Sequence, residues 1–255
     1  YNSWGEADST TAELGLRGQF STGAVAHKIA LAANVMNYEG GSRANGMAPI
    51  RSNIYHPTPI TMPPGAAAST FKQHTDDVMT ALSVVDTLAF ADDKVQLTLG
   101  LRAQQVNQKL NKYKESAVTP LVGVVAKPWG ENVSLYGNYV EGLSAGTTVK
   151  APYANEGETF APYKSKQMEV GVKWVSGSLT QTVSLFQISK PALIEANNRQ
   201  VLDGEQRNRG VEWNVFGQLT PALTLLGGAA YTEADQTKTT KGVNQGRAQF
   251  GAPKP

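Results

Sequence analysis

Few side chains in this 255-residue sequence are of kinds that make and break bonds, and those few are not arranged for it. Cysteine is absent, which removes thiolate metal ligands, thiol nucleophiles and disulfide scaffolds. The three histidines, His27, His56 and His74, show no pattern with a nucleophile and a carboxylate that would mark a hydrolytic triad, and each reads as a surface imidazole. Gly227-Gly228 lies inside a strand-like run and not at a strand-to-helix turn, so it is not a phosphate loop. Glycine there permits close packing or a bend. What the sequence does offer is aromatic rings in polar, Gly- and Pro-rich segments: Tyr55, Tyr153, Phe160 and Tyr163. Tyr136 and Asn138 stand two apart on an alternating segment and therefore share a face. Rings with a few donors beside them hold a ligand and do not transform it. Binding, and not catalysis, is the chemistry expected; the alternative for the loop aromatics is packing within their own loop.

The elements that must position these rings are strands. In Glu169 to Gln187, Val170, Val172 and Trp174 fall on one face and Glu169, Gly171 and Lys173 on the other. Ser176-Gly177-Ser178 then turns the chain into Leu179–Gln187. The same unit recurs. Thr11–Phe20 pairs with Lys28–Tyr38 across Ser21-Thr22-Gly23, and Val78–Phe90 with Lys94–Gln108 across Ala91-Asp92-Asp93. Ala117–Lys127 pairs with Asn132–Glu141 across Pro128-Trp129-Gly130-Glu131, Lys166–Val175 with Leu179–Ser189, and Arg207–Leu219 with Leu223–Glu233 across Thr220-Pro221-Ala222. The cleanest alternation sets Val95, Leu97, Leu99 and Leu101 against Gln96, Thr98, Gly100 and Arg102.

About ten such strands without helical filler suit an antiparallel, up-and-down transmembrane β-barrel with lipid outside and water inside. Turns within hairpins are read as about three to five residues and connections between hairpins as about ten to 35, the short-turn and long-loop rims of an outer-membrane barrel. Such a barrel needs no apolar run of roughly 18 residues, and none is found. Polar positions on the strands, among them Glu13, Arg17, Gln96, Arg102, Glu169, Lys173, Glu212 and Asn214, should face inward, to solvate the lumen wall or brace what the barrel encloses. Tyr139, Trp174, Trp213 and Tyr231 are in phase with the apolar positions and suit the aromatic girdle at the lipid boundary; Trp129, in a short turn, suits an interface anchor. A net charge of +2 is too weak to argue for nucleic acid.

Three stretches resemble a known family. Val133-Ser134-Leu135-Tyr136-Gly137-Asn138-Tyr139-Val140-Glu141-Gly142-Leu143 is similar to a strand and loop start of TonB-dependent siderophore receptors. So is Phe160 to Lys173, with Ser165-Lys166-Gln167-x-Glu169-x-Gly171, and so is Asp203 to Gly217, with Gly210-x-Glu212. The likeness runs from about Thr11 to Pro255 in the order of that family's middle and later barrel.

The resemblance implies a receptor of the bacterial outer membrane that captures a ferric siderophore, with uptake driven by the TonB complex through a plug domain inside the barrel. Siderophores are polar, often aromatic chelates, so Tyr136, Asn138, Tyr153, Phe160 and Tyr163 are the expected ligand contacts. The siderophore itself fills the iron's coordination shell, so no cofactor or metal bound directly by the protein is expected. A haem receptor would offer an outer histidine to the iron, and the motifs of that class are not found. Residues 1–255 are read as part of the barrel domain only, a partial barrel of about ten strands without plug or C-terminal strands, since a 22-stranded transporter barrel at this spacing needs roughly 560 residues. The alternatives are a passive porin-like channel and a soluble all-β binding module.

Overall fold

The structure, a computed structural model, describes residues 2–45, 53–57 and 70–248. Ten strands follow one another in a single antiparallel sheet whose order is the order of the chain: β1 (Asn2–Thr22), β2 (Val25–Asn45), β3 (Lys72–Phe90), β4 (Val95–Gln108), β5 (Tyr113–Ala126), β6 (Val133–Ser144), β7 (Tyr163–Ser176), β8 (Leu179–Ala196), β9 (Arg199–Thr220) and β10 (Leu223–Lys238). Only a short 3-10 turn at Thr240–Gly242 interrupts the all-β chain among the described residues. β1 pairs with β2 alone and β10 with β9 alone, so the sheet is open at both edges, as expected of a partial barrel.

The register turns local alternation into two continuous faces. Leu16 lies opposite Leu31, Leu31 opposite Val84, Val84 opposite Leu101, and Leu101 opposite Pro120. Val170, Leu185, Val211 and Tyr231 continue the apolar face across the second half. On the other face Arg102 lies between Ser83 and Thr119, and Glu169 between Asn138 and Phe186. A one-residue slip anywhere would exchange the two faces. Leu14 and Leu99 are exposed on the apolar side, where a soluble protein would have covered them.

Strand extents and loops depart from the sequence reading. The strands are 12 to 22 residues long, beyond the roughly 9–11 that cross a bilayer. Outside the apolar belt both faces are wet, so pairing continues with no period-two signal to reveal it. Consequently β4 and β5 are joined by residues 109–112 alone, and β8 and β9 by Asn197-Asn198 alone, not by long loops. Both asparagines have positive φ, 50° and 57°, the conformation a two-residue hairpin turn demands and asparagine tolerates. The long connections are residues 46–71 and 145–162. The five turns at the opposite rim are short throughout.

The girdle assignments fit the register. Tyr139 lies opposite Met168, Trp174 opposite Val133, and Trp213 opposite Val183, all on the apolar face. Tyr139 and Tyr231 mark its outer limit, each donating its hydroxyl to the glutamate two residues on, Glu141 at 2.6 Å and Glu233 at 3.2 Å. Trp129 is exposed in its turn.

In the membrane-embedded protein, cysteines introduced at Leu99 and at Gln96 should label oppositely. Leu99→Cys is expected to react with a bilayer-soluble maleimide, and Gln96→Cys with a water-soluble one. Equal water-soluble labelling of both would mean that the strand's faces are misassigned.

Candidate functional site

The residues singled out by sequence occupy the polar face of β6 and β7 and the segment 145–162 that joins them. Tyr136 and Asn138 share the polar face of β6, with Asn138 directly opposite Glu169. The Tyr136 ring lies over Gly171, where a Cβ would come within 2.6 Å of it, and its hydroxyl donates to Glu169 Oε1 at 2.7 Å. Gln167 donates to the other oxygen of Glu169 at 3.3 Å. On the next strands the Phe186 ring lies over Gly210, where a Cβ would meet the Tyr231 carbonyl at 2.2 Å. Gly171 and Gly210 thus seat aromatic rings flat against the wall. Glu169 and Glu212 flank these seats on the same face. The Gln167-x-Glu169-x-Gly171 and Gly210-x-Glu212 motifs therefore describe one patch.

Tyr153 and Phe160 lie half-buried in segment 145–162, and Tyr163 opens β7. The segment is fastened at both sides. Asn155 is 6% exposed; its amide nitrogen donates to the Gln200 carbonyl at 2.9 Å, and its side-chain oxygen accepts the Gln200 N–H at 3.0 Å. Arg199 holds Glu158 at 2.9 Å, and the Ala154 N–H donates to the Asn198 carbonyl at 2.8 Å. The segment is thereby docked on the tip of the β8–β9 hairpin. At its start, the Gly146 N–H donates to the Tyr113 hydroxyl at 2.9 Å. Gly146 leaves no room for a side chain, since a Cβ would meet the Phe160 carbonyl at 2.1 Å. Tyr113 and Val106 belong to the polar face, and with Val149 of the segment they form a small buried core, each 2% exposed. Segment 145–162 thus leans over the polar face at the rim opposite the short turns.

This core lies beyond the apolar belt. Burial pushes the Tyr113 hydroxyl above its ordinary value, with the Gly146 N–H opposing and Glu115 adding to the shift. Burial also raises Tyr163, with Tyr113 beside it adding and the Thr147 backbone opposing. Both hydroxyls keep their protons in ordinary media. Tyr55 stands apart, exposed, with its N–H on Asn53 Oδ1 at 2.8 Å.

His27 is not the plain surface imidazole expected. It stacks on Phe20 at 4.6 Å and lies between the Thr22 hydroxyl, 2.7 Å from Nε2, and Asp86, 2.8 Å from Nδ1. A hydroxyl–imidazole–carboxylate chain therefore exists where the sequence showed none. It lies on the apolar face, with Phe20 and Leu88 opposite His27 and Ile29 and Leu99 opposite Asp86, so it gives a lipid-side carboxylate a partner and ties the first hairpin to β3. Fifty-nine residues separate the pair, too far for a spacing rule to find. His74 bonds Ser42 at 2.8 Å, and His56 is exposed. No group of three or more histidines, aspartates or glutamates among the described residues could hold a metal ion.

An open antiparallel wall with an apolar belt, girdle aromatics and a capped polar face is a stretch of outer-membrane barrel. A family model described as TonB dependent receptor-like, beta-barrel matches residues 1–254. The chain belongs to this family of bacterial outer-membrane barrels. It is 35% identical over 266 aligned positions to the ferrichrome receptor FcuA of Yersinia enterocolitica, covering 96% of this chain and 35% of that one. It is 26% identical to the metal-pseudopaline receptor CntO of Pseudomonas aeruginosa, covering 97% of this chain and 37% of that one. The crystal structure of BauA, the ferric preacinetobactin receptor of Acinetobacter baumannii, superposes with a TM-score of 0.84 at 36% identity, over 99% of this chain and 40% of that one. The chain spans little more than a third of the length of these relatives.

Two substitutions test the packing. Gly171→Ala needs only the far end of Tyr136 to move, whereas Gly210→Ala pushes on backbone, so Gly210→Ala should cost folding yield more severely, by about 1–3 kcal/mol against less for Gly171→Ala. Heat-modifiable gel mobility reads the yield, and the reverse order would refute the seats. Asn155→Ala strands the Gln200 backbone groups, at a cost of about 1–3 kcal/mol. Limited proteolysis within 145–162 should then accelerate by about tenfold or more while the strands stay protected; an unchanged rate would mean the clamp is not holding the segment.

Proposed function

We propose that this chain is part of the barrel of a receptor that takes up a ferric siderophore across the outer membrane, energised through the TonB complex. The observation that carries this reading is the aromatic-bearing segment 145–162, fastened by Asn155 and Tyr113 over the polar face of the wall. In the intact receptor that face is the lumen, and the segment lies over its outer mouth. The relatives named as ferrichrome and ferric preacinetobactin receptors support the ligand class. Tyr153, Phe160 and Tyr163 supply rings for the chelate at the outer mouth, and Tyr136 and Asn138 line the lumen wall well below them, in the half of β6 nearer the short turns. The iron travels as cargo in its chelate, and the wall contributes binding surface and no reaction step.

A plug domain and the remaining strands belong to this reading, with residues 1–255 as a piece of the barrel alone. Two features of the polar face support an enclosed domain. Glu169 and Glu212 offer carboxylates to basic groups on it. Phe216 and Leu226, opposite one another near the short-turn rim on that same face, are 58% and 80% exposed and suit an apolar contact within the lumen. Neither feature suits a passive, water-filled pore.

Ferric-siderophore binding to the full-length receptor carrying Tyr153→Ala, Phe160→Ala or Tyr163→Ala tests the site. Each lost ring contact should cost about 0.5–1.5 kcal/mol beyond its buried area, up to about tenfold in affinity. Trp174→Ala should lower assembly and leave the affinity of the assembled receptor unchanged. Wild-type affinity in all three loop variants, with a loss in Trp174→Ala at normal folding yield, would defeat the reading.

A further inference from the structure

Among the described strands the wall opens between β5 and β6. β5 and β6 pair from Ala126↔Leu135 only as far as Leu121↔Val140, although β5 reaches back to Tyr113 and β6 runs on to Ser144. Pro120 occupies the next ladder position, and without an N–H it cannot continue the pairing. Beyond it β5 keeps its partners on β4 and β6 keeps its partners on β7, so the two strands part into a seam. Lys164 of β7 reaches over the gap and donates Nζ to the Val118 carbonyl of β5 at 2.7 Å.

At the foot of the seam lies a cleft of about 500 Å³, between Arg102 and Gln104 of β4, Thr119 and Leu121 of β5, and Val140 to Gly142 of β6, where the Glu141 carboxylate is already held by the Tyr139 hydroxyl at 2.6 Å and by Lys164 Nζ at 3.7 Å. Its volume falls within the roughly 300–1,000 Å³ of small-molecule sites. Arg102 decides its chemistry. Arg199, Arg207 and Arg209 each face a carboxylate, Glu158, Asp235 and Glu233. The Arg102 guanidinium faces none among the described residues and is exposed on the polar face, while the Thr119 hydroxyl beside it is spent on the Arg102 carbonyl at 3.5 Å. Leu121 and Val140 line the cleft beside it. A planar guanidinium in such surroundings matches paired anionic oxygens, to which it offers two parallel N–H donors.

We infer that this cleft is a subsite for the anionic part of an iron chelate, its catecholate or carboxylate oxygens, with Arg102 as the residue that selects charged over neutral chelates. The inference rests on the receptor reading above and adds a residue and a charge preference to it. Arg102 acts through its fork, and the apolar walls hold the ring or chain that carries the oxygens. Gly142 keeps the entrance open, since nothing lies within 4 Å of the Cβ it lacks.

The test uses the full-length receptor in detergent, with folding confirmed by heat-modifiable mobility. Affinity is measured for two probes of similar size, an anionic ferric tris-catecholate and a neutral ferric tris-hydroxamate. Arg102→Gln should weaken the tris-catecholate by at least tenfold and the tris-hydroxamate by less than twofold, with Arg102→Lys intermediate for the former. Gly142→Leu, whose side chain enters open space, should weaken the tris-catecholate by at least tenfold without perturbing the strand. Equal loss of both probes in Arg102→Gln, no loss of either, or an unsubstituted receptor that binds the tris-hydroxamate and not the tris-catecholate would overturn the inference and leave the receptor reading standing. A wild-type receptor that binds no ferric chelate from a wider panel would overturn both.

Discussion

A backbone ladder that runs from β1 to β10 without a crossover is the constraint from which the rest follows. Each strand hydrogen-bonds its sequence neighbours, so a phase set in one hairpin propagates to the next. That is why Leu16, Leu31, Val84 and Leu101 form one row although 85 positions separate the first from the last. A single face can then be given to lipid and the other to water, with no helix and no apolar core required. Asp86 departs from the rule on the apolar side, and it does so in contact with His27 and not alone.

Within that frame the glycines of the recognised motifs acquire a purpose. A barrel wall has no second layer to pack against, so large rings on its polar face must lie down on the wall itself. Gly171 beneath Tyr136 and Gly210 beneath Phe186 provide the space. Laid flat, Tyr136 brings its hydroxyl to Glu169, which also receives Gln167, and the patch becomes a hydrogen-bonded surface instead of a set of mobile side chains. A rigid polar lumen can recognise either a ligand or an enclosed domain, because ordering has been completed before contact.

The outer rim uses the opposite device. There the ladder is allowed to fail, once by length, where β8 and β9 rise beyond the belt, and once by composition, where Pro120 stops the β5–β6 pairing. The raised hairpin gives segment 145–162 something to dock on, through Asn155 and Arg199. The failed pairing opens the cleft beside Arg102. The docked segment lies at the end where a ligand would arrive and the cleft midway along β4 and β5, and both depend on the lower wall being continuous enough to tolerate them.

Sequence alone settled the strand count, the two faces, the short-turn rim and the girdle, because period-two alternation and turn chemistry are local and each strand carries its own copy. Val95 to Arg102 could be assigned without knowing what lay beside it. The resemblance carried by Gln167-x-Glu169-x-Gly171 and Gly210-x-Glu212 identified the family, but not that Tyr136 and Phe186 are what those glycines receive. Tertiary structure decided where the strands end, since above the belt both faces are wet and composition no longer alternates. The Asn197-Asn198 turn was hidden in what read as a long loop. It also decided every contact between distant positions: Asn155 with Gln200, Tyr113 with Gly146, His27 with Asp86. Those pairs are 33 to 59 residues apart and obey no spacing rule, because only the register of the assembled sheet brings them together.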